Sequence, residues 1–243
     1  MLALFKNVYT NIIMNFTKLK YEIKLLLGKH PNVKIDLHTK TERHGSDYGG
    51  WNILENSLSD NSIVYSAGIG TDISFDLSII QKYRCDIFGF DPTPEVAQWL
   101  KSQEVPNSFY FEPVGISAIN ETVKFFLPEN PQHISHSAKP ANANQKSIDL
   151  PVCNLQTIMR QKQHSYIDLL KMDIEGFEYA VIEDLLLQNL SIKQLLVEFH
   201  HGMYGYKNSD TTQAIDKLRL SGFKLFKISD SGREYSFYKY ENL

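Results

Sequence analysis

The run Ile167-Asp168-Leu169-Leu170-Lys171-Met172-Asp173-Ile174-Glu175-Gly176-Phe177-Glu178 decides how this chain folds. Residues 166–172 are largely apolar on both alternating faces, the pattern of a strand covered on each side of a sheet. The chain then turns at Glu175-Gly176 and enters a helix expected over residues 178–188, whose positive end favours the acidic side chains gathered there. A second strand is expected over residues 194–199, closing on Glu198-Phe199-His200-His201. Strand, helix and strand in that order form a parallel unit, because parallel neighbours need a crossover between them.

The same unit repeats upstream. Ile63, Val64 and Tyr65 run into a glycine-rich turn ahead of a helix over Ser74–Tyr83. Ile87, Phe88, Gly89 and Phe90 end at Asp91-Pro92, and Pro94 opens a helix through Val96, Ala97, Trp99 and Leu100. Residues 109–116 are a third strand candidate. Such alternation predicts a parallel sheet with helices on both faces and a ligand at the carboxyl ends of its strands. The end of the chain departs from it: Phe223–Ile228 and residues 234–240 are joined by Ser229-Asp230-Ser231-Gly232, too short for a helix, and so form a hairpin. The expected fold is therefore α/β, a Rossmann-like doubly wound sheet, mostly parallel with a C-terminal antiparallel hairpin, which is the layout of class I methyltransferases rather than of dinucleotide dehydrogenases.

Composition narrows the function. With 25 basic and 28 acidic residues the formal charge is -3, so no strong field draws nucleic acid. Two cysteines, Cys85 and Cys153, are too few for a disulfide scaffold and suggest a reducing, cytoplasmic setting. Lys6, Lys18, Lys20, Glu22 and Lys24 interrupt the apolar N-terminal stretch, which excludes a membrane span there. Ile12, Phe16, Leu19, Ile23 and Leu26 instead recur at helical spacing, giving an amphipathic helix ended by Gly28 and Pro31. Its apolar face is expected against the domain, with a membrane surface or a second copy in a homodimer as the alternatives. Residues 128–146, rich in Pro, Asn, Gln, His and Ser, are expected to form a long polar loop, and His133 and His136 within it lack the companions of a closed zinc site.

Chemistry is expected where the first strand ends, at Ser66-Ala67-Gly68-Ile69-Gly70-Thr71-Asp72. Two glycines there let backbone approach a ligand at a helix start. Ile73 occupies the place of the third glycine in a pyrophosphate fingerprint, which disfavours a dinucleotide. Asp91, 21 residues beyond Gly70, ends the second strand where a carboxylate can accept both hydroxyls of a ribose. Together the glycine turn and Asp91 indicate an adenosine cofactor, and the same carboxylate is placed to cap the helix opened by Pro94.

The run 167–178, the later Leu195-Leu196-Val197-Glu198-Phe199-His200-His201, the segment Glu42 to Trp51 and Phe90-Asp91-Pro92-Thr93-Pro94 together resemble the FkbM-type methyltransferases over roughly residues 42–240. The resemblance implies an S-adenosylmethionine domain over residues 61–243, behind an N-terminal helix and cap segment over 1–60. It also implies methylation of oxygen, often on sugars or glycan-derived molecules. Cofactor contacts would come from Tyr48, Trp51, Ser66, Gly68, Gly70, Asp72, Asp91, Val114, Gly115 and Asp173. Ser66 stands where such enzymes usually carry an acidic residue, and Asp72 offers a compensating carboxylate. Tyr48 and Trp51 beside Gly49-Gly50 form either an aromatic flap over the sulfonium or part of the core. For the chemistry, Asp173, Glu175, Glu198, His200 and His201 cluster at the ends of two strands. Two mechanisms stay open: a general base from His200 or His201, or a Mg²⁺ or Mn²⁺ ion on Asp173, Glu198 and His200. Lys171 shares strand parity with Asp173, so an ion pair without catalysis is a further reading. A nucleotide-dependent oxidoreductase and a cofactor-binding module without turnover are the competing functions.

Overall fold

The computed structural model describes residue 19 and residues 21–127 and 145–240. Its centre is the strand β9 (Ile167–Met172), in which every residue is buried. Successive side chains leave a strand on opposite faces. Leu169 accordingly joins one apolar cluster and Leu170 and Met172 the other. Around β9 stand β3 (Ile63–Ala67), β4 (Asp86–Phe90), β5 (Phe109–Glu112), β10 (Ile192–Glu198), β11 (Phe223–Ile228) and β12 (Glu234–Lys239). Their order across the sheet is β11-β12-β10-β9-β3-β4-β5. β5, β4, β3, β9 and β10 pair in parallel, while β12 runs antiparallel between β10 and β11. The doubly wound sheet with its antiparallel end is the architecture expected from sequence.

Helices cover both faces. α1 (Ser74–Tyr83) and α2 (Pro94–Leu100) bury Phe75, Ile79, Val96 and Leu100 on the face of Leu169. The opposite cluster takes apolar residues of α3 (Leu155–Lys162), α4 (Glu178–Leu187) and α5 (Asn208–Leu220), among them Leu155, Ile158, Val181, Ile182, Ile215 and Leu218. Chain progression reverses between β3 and β9, because β4 and β5 build out on one side and β9 and β10 on the other. A crevice opens at such a point, outside the carboxyl ends of the strands.

Four expectations are corrected. The third strand is broken: Pro113 offers no amide hydrogen, so the chain leaves the main sheet after β5 and resumes as β6 (Gly115–Ile116) in a different sheet. Strand and helix do not alternate throughout, because β6, β7 (Glu121–Phe126) and β8 (Ser147–Cys153) form a three-stranded sheet in the order β6-β8-β7 before α3. β1 (Thr41–His44) and β2 (Trp51–Leu54) form an unanticipated hairpin whose Trp51 and Ile53 sink into the α1 side of the core. At the N-terminus, residues 21–26 are helical and the chain turns at Gly28 with φ +65°, yet the expected inner face is outward: Leu19, Ile23 and Leu26 are exposed. Tyr21 and Leu25, four apart and half-buried, face the protein instead, and the Tyr21 ring lies over Gly232, where a Cβ would meet it at 2.4 Å. The expected polar loop lies outside the described residues over 128–144, and His133 and His136 with it. Among the described residues, no helix is long and apolar enough to cross a membrane.

Candidate active site

Register brings the strand ends together. Met172 pairs with Ala67 on one side and with Val197 on the other, so Gly68, Asp173 and Glu198 follow side by side. Backbone bonds tighten the convergence: Asp173 N donates to Ala67 O at 3.1 Å and Gly68 N donates to Phe90 O at 2.9 Å. Gly68 has φ +69°, and a Cβ there would lie 1.6 Å from Asp173 O, so no other residue fits. Above these ends lies a cavity of about 660 Å³, a volume typical of small-molecule sites.

The wall is strongly acidic. Asp47, Asp72, Asp91, Asp173, Glu175, Glu198 and Glu234 line it, and Lys171 is the single cationic lining residue among those described. Lys171 is 6% exposed, donates from Nζ to Gly68 O at 2.6 Å and stands 5.7 Å from the Trp51 ring centre. Asp91 is buried and accepts from Gly70 N at 3.1 Å and from Thr93 N at 2.9 Å. Gly70 has φ +54° and open space where a side chain would be, so its backbone faces the cavity bare. Asp72 accepts from Ser46 Oγ at 2.6 Å and Ser74 N at 2.8 Å, tying the segment before Tyr48 to the start of α1. Gly115, Ile116 and Phe125 close the wall from the three-stranded sheet.

The turn after β9 carries a charge network. Glu175 is left-handed at φ +52°, rare for this residue, and Gly176 follows at +103°. Glu178, fully buried, accepts from Ile174 N at 3.0 Å, Gly176 N at 2.9 Å and His200 Nδ1 at 2.9 Å. His200 Nε2 then faces Glu175 at 3.2 Å and Asp173 at 3.8 Å. Burial alone would lower the His200 pKa, but Glu178 and Glu175 outweigh it and push it up to about 11. Burial, reinforced by Asp173, raises Glu198 to about 9; burial, with Glu175 and Glu178 adding to it, raises Asp173 to about 6 against Lys171 and His200. Tyr204 Oη donates to Glu175 at 2.5 Å from the loop after β10.

Of the residues singled out from sequence, Tyr48, Trp51, Gly68, Gly70, Asp72, Asp91, Gly115, Asp173, Glu175 and Glu198 line this cavity. Four do not. Ser66 is fully buried beneath it, its hydroxyl against the Asp76 carboxyl. The Val114 side chain packs onto the core cluster instead. His200 stands behind Asp173 and Glu175, and His201, the next residue, is turned to the other side, where it meets His30 at 2.6 Å. Trp51 is a buried wall rather than a flap, whereas Tyr48 is 93% exposed at the mouth. Among the described residues, the oxygen and nitrogen atoms close enough for one ion, within 4.8 Å of one another, belong to Asp173, Glu175 and His200, so Glu175 takes the place expected of Glu198. The roles of Glu178 and Tyr204 were missed; the second Glu of the D-x-E-G-x-E turn is the only signal for the former.

The chain is 26% identical over 170 residues to the "Probable methyltransferase-like protein 24" of Homo sapiens and equally to that of Rattus norvegicus, covering 69% of this chain. It spans about 40% of the length of those relatives. Among solved structures it is similar to Aeropyrum pernix fibrillarin with natively bound S-adenosyl-L-methionine, at 9% identity and a TM-score of 0.42, over 87% of this chain and 86% of that one. Residues 46–225 match the methyltransferase FkbM domain, and the chain belongs to that family.

Proposed function

We propose that this protein is an S-adenosylmethionine-dependent O-methyltransferase acting on a hydroxyl of a sugar or glycan-derived acceptor in the cytoplasm. Residues 61–243 carry the reaction, and residues 1–60 serve as a cap segment that brings Tyr48 to the mouth and Trp51 to the wall. The observation that carries the reading is the meeting of the open Gly70 backbone, Asp91 and Asp173 on one acidic cavity with a single cation. That donor set fits the cofactor: Asp91 retains lone pairs for ribose hydroxyls, the carboxylates suit a sulfonium and an ammonium, and Lys171 suits a carboxylate. When bound, the cofactor supplies an electrophilic methyl group.

Asp173 takes the acceptor's hydroxyl proton, since its pKa of about 6 leaves it ionised at neutral pH yet basic enough to share a proton. Glu198, which burial and the neighbouring Asp173 carboxylate hold above the ordinary carboxylate range, favours its protonated form and orients the acceptor as a hydrogen-bond donor. His200 is already protonated between Glu178 and Glu175, so it serves as a fixed cation rather than as the base. A Mg²⁺ or Mn²⁺ ion on Asp173, Glu175 and His200 would compete with that proton for the same lone pairs and, if bound, would acidify the acceptor hydroxyl; the proton steps use the chain's own groups.

Calorimetric titration with S-adenosylhomocysteine and, separately, NAD tests the cofactor assignment, and methyl transfer to a panel of sugars tests the acceptor. Saturable binding of the first ligand alone, with turnover on a hydroxyl, is expected. Binding of NAD alone, or of neither, overturns the reading, and cofactor binding without turnover on any acceptor reduces the protein to a binding module.

A further inference from the structure

The apolar core on the α1 side of the sheet encloses a group of polar side chains. Alternate residues of a strand share a face, so Ser66 points with Val64, and Lys171 with Leu169, towards α1, and the two pair directly across β3 and β9. On α1, Asp76 stands with Ile79 and Tyr83 on the buried side, where the spacing predicts an apolar residue. Ser66 has no exposed surface and Asp76 only 2%. The Ser66 hydroxyl lies against the Asp76 carboxyl, yet Ser66 Oγ and Asp76 Oδ1 complete no hydrogen bond among the described residues. Buried polar atoms left in that state are costly, and an apolar side chain at position 76 would pack there without that cost. Packing alone therefore does not account for Asp76, and the steps of methyl transfer do not use it.

Its charge acts on Lys171. Burial raises the Asp76 pKa to about 6, against Lys171 and the Ser66 hydroxyl, so the carboxyl is ionised at neutral pH. Asp72 and Asp173 act on the same ammonium from the cavity wall. Lys171 has a flexible stem, so its place is set by the balance among these anions and by Gly68 O, 2.6 Å from Nζ, with Ala67 O at 3.5 Å. If the wall carboxylates alone acted, they would draw the ammonium outward and be neutralised by it. A ligand that carries a carboxylate beside an ammonium needs the opposite arrangement, a cation set back in the floor and wall anions left for the ligand's own ammonium.

We propose that Asp76 is a positioning residue for the cofactor: from beneath the cavity its charge holds the Lys171 ammonium back against Gly68 O, where it meets the carboxylate of the cofactor's methionine end, and so leaves Asp72 and Asp173 to the cofactor's ammonium. This rests on S-adenosylmethionine occupying the cavity.

The test is calorimetric titration of the full chain with S-adenosylhomocysteine and with 5′-methylthioadenosine, which keeps the adenosine and the thioether but lacks the amino-acid end. Asp76→Asn, nearly isosteric, and Lys171→Met should each weaken S-adenosylhomocysteine at least about tenfold while methylthioadenosine stays within about twofold. Combined, they should weaken it no further than Lys171→Met alone, because Asp76 acts through the lysine. Should a single substitution unfold the protein, the double variant removes both buried charges together and should still bind methylthioadenosine while losing S-adenosylhomocysteine. Equal loss of both ligands, S-adenosylhomocysteine affinity unmoved by Asp76→Asn, or losses that add in the double variant would overturn the proposal and leave the cofactor reading standing. Wild-type protein that binds neither ligand overturns that reading, and the role of Asp76 with it.

Discussion

Replacing Gly68 by alanine tests whether the meeting of β3 and β9 is as tight as the geometry requires. The new Cβ would sit 1.6 Å from Asp173 O, where ordinary contact begins at 3.4 Å, so the two strand ends must part by about 1.8 Å. That movement breaks the 3.1 Å bond from Asp173 N to Ala67 O, a buried loss of about 1–3 kcal/mol. Left-handed backbone at φ +69° adds about 1–2 kcal/mol for a residue with a side chain. Together the cost is about 2–5 kcal/mol, which in a chain of this size lowers the melting temperature by roughly 4–20 °C. Gly70→Ala is the control: with φ +54° and open space around its Cβ it should cost only the left-handed penalty of about 1–2 kcal/mol, or roughly 2–8 °C. Its methyl group would project into the cavity, so it should weaken S-adenosylhomocysteine at least about tenfold while the protein stays folded. Calorimetric melting and titration of both variants decide the matter. A Gly68→Ala protein that melts with the wild type would refute the packing argument, and a Gly70→Ala protein that binds normally would refute the placement of the cofactor.

Asp173→Asn should abolish turnover while leaving S-adenosylhomocysteine affinity within a fewfold, and wild-type turnover should fall as pH drops through about 6, as the base is protonated; a flat profile would remove Asp173 from that role. Asp91→Ala should reduce cofactor affinity by about 10- to 100-fold through the loss of charged hydrogen bonds, measured by titration. Glu178→Gln should destabilise the fold by about 1–3 kcal/mol, because the buried His200 loses its fully buried carboxylate and keeps only Glu175 and Asp173. Since the folded pKa of His200 lies above its ordinary value of 6.5, the wild-type advantage in denaturant titrations should be full below 6.5 and fade as pH climbs towards 11. Turnover should survive exhaustive chelation, and restoration by added Mg²⁺ or Mn²⁺ would bring the metal mechanism back.

Elements that bury a continuous apolar run were readable directly. β9, α1 and the closing hairpin stand where their apolar patterns predicted them, because burial on both faces or a short polar turn leaves few alternatives. The three-stranded sheet was not readable. β8 carries Pro151 in its second half and shows most of its side chains to solvent, so its alternation is faint. β1 and β2 are four residues each, too short to show a period. At the site, position at the strand ends placed Asp173, Glu175 and Glu198 at one cavity, but it could not anticipate that the left-handed backbone of Glu175 would swing that carboxylate towards His200. Nor could it pair His200 with Glu178, 22 residues away on another element, since capping of α4 already accounted for that glutamate. The N-terminal helix defeats its apolar pattern because Leu19, Ile23 and Leu26 are exposed, whereas Tyr21 and Leu25 are the half-buried positions.

Asp91 holds the amides of Gly70 and Thr93 on its two oxygens, and this has a kinetic meaning. A carboxylate held by two backbone donors cannot rotate, so the ordering that a ribose would otherwise impose is completed when the chain folds. Under the proposed assignment, an arriving nucleoside would meet a finished surface, with its association rate set by diffusion and orientation rather than by rearrangement of the turn. Differences in affinity among ligands that share the ribose should therefore lie in their dissociation rates.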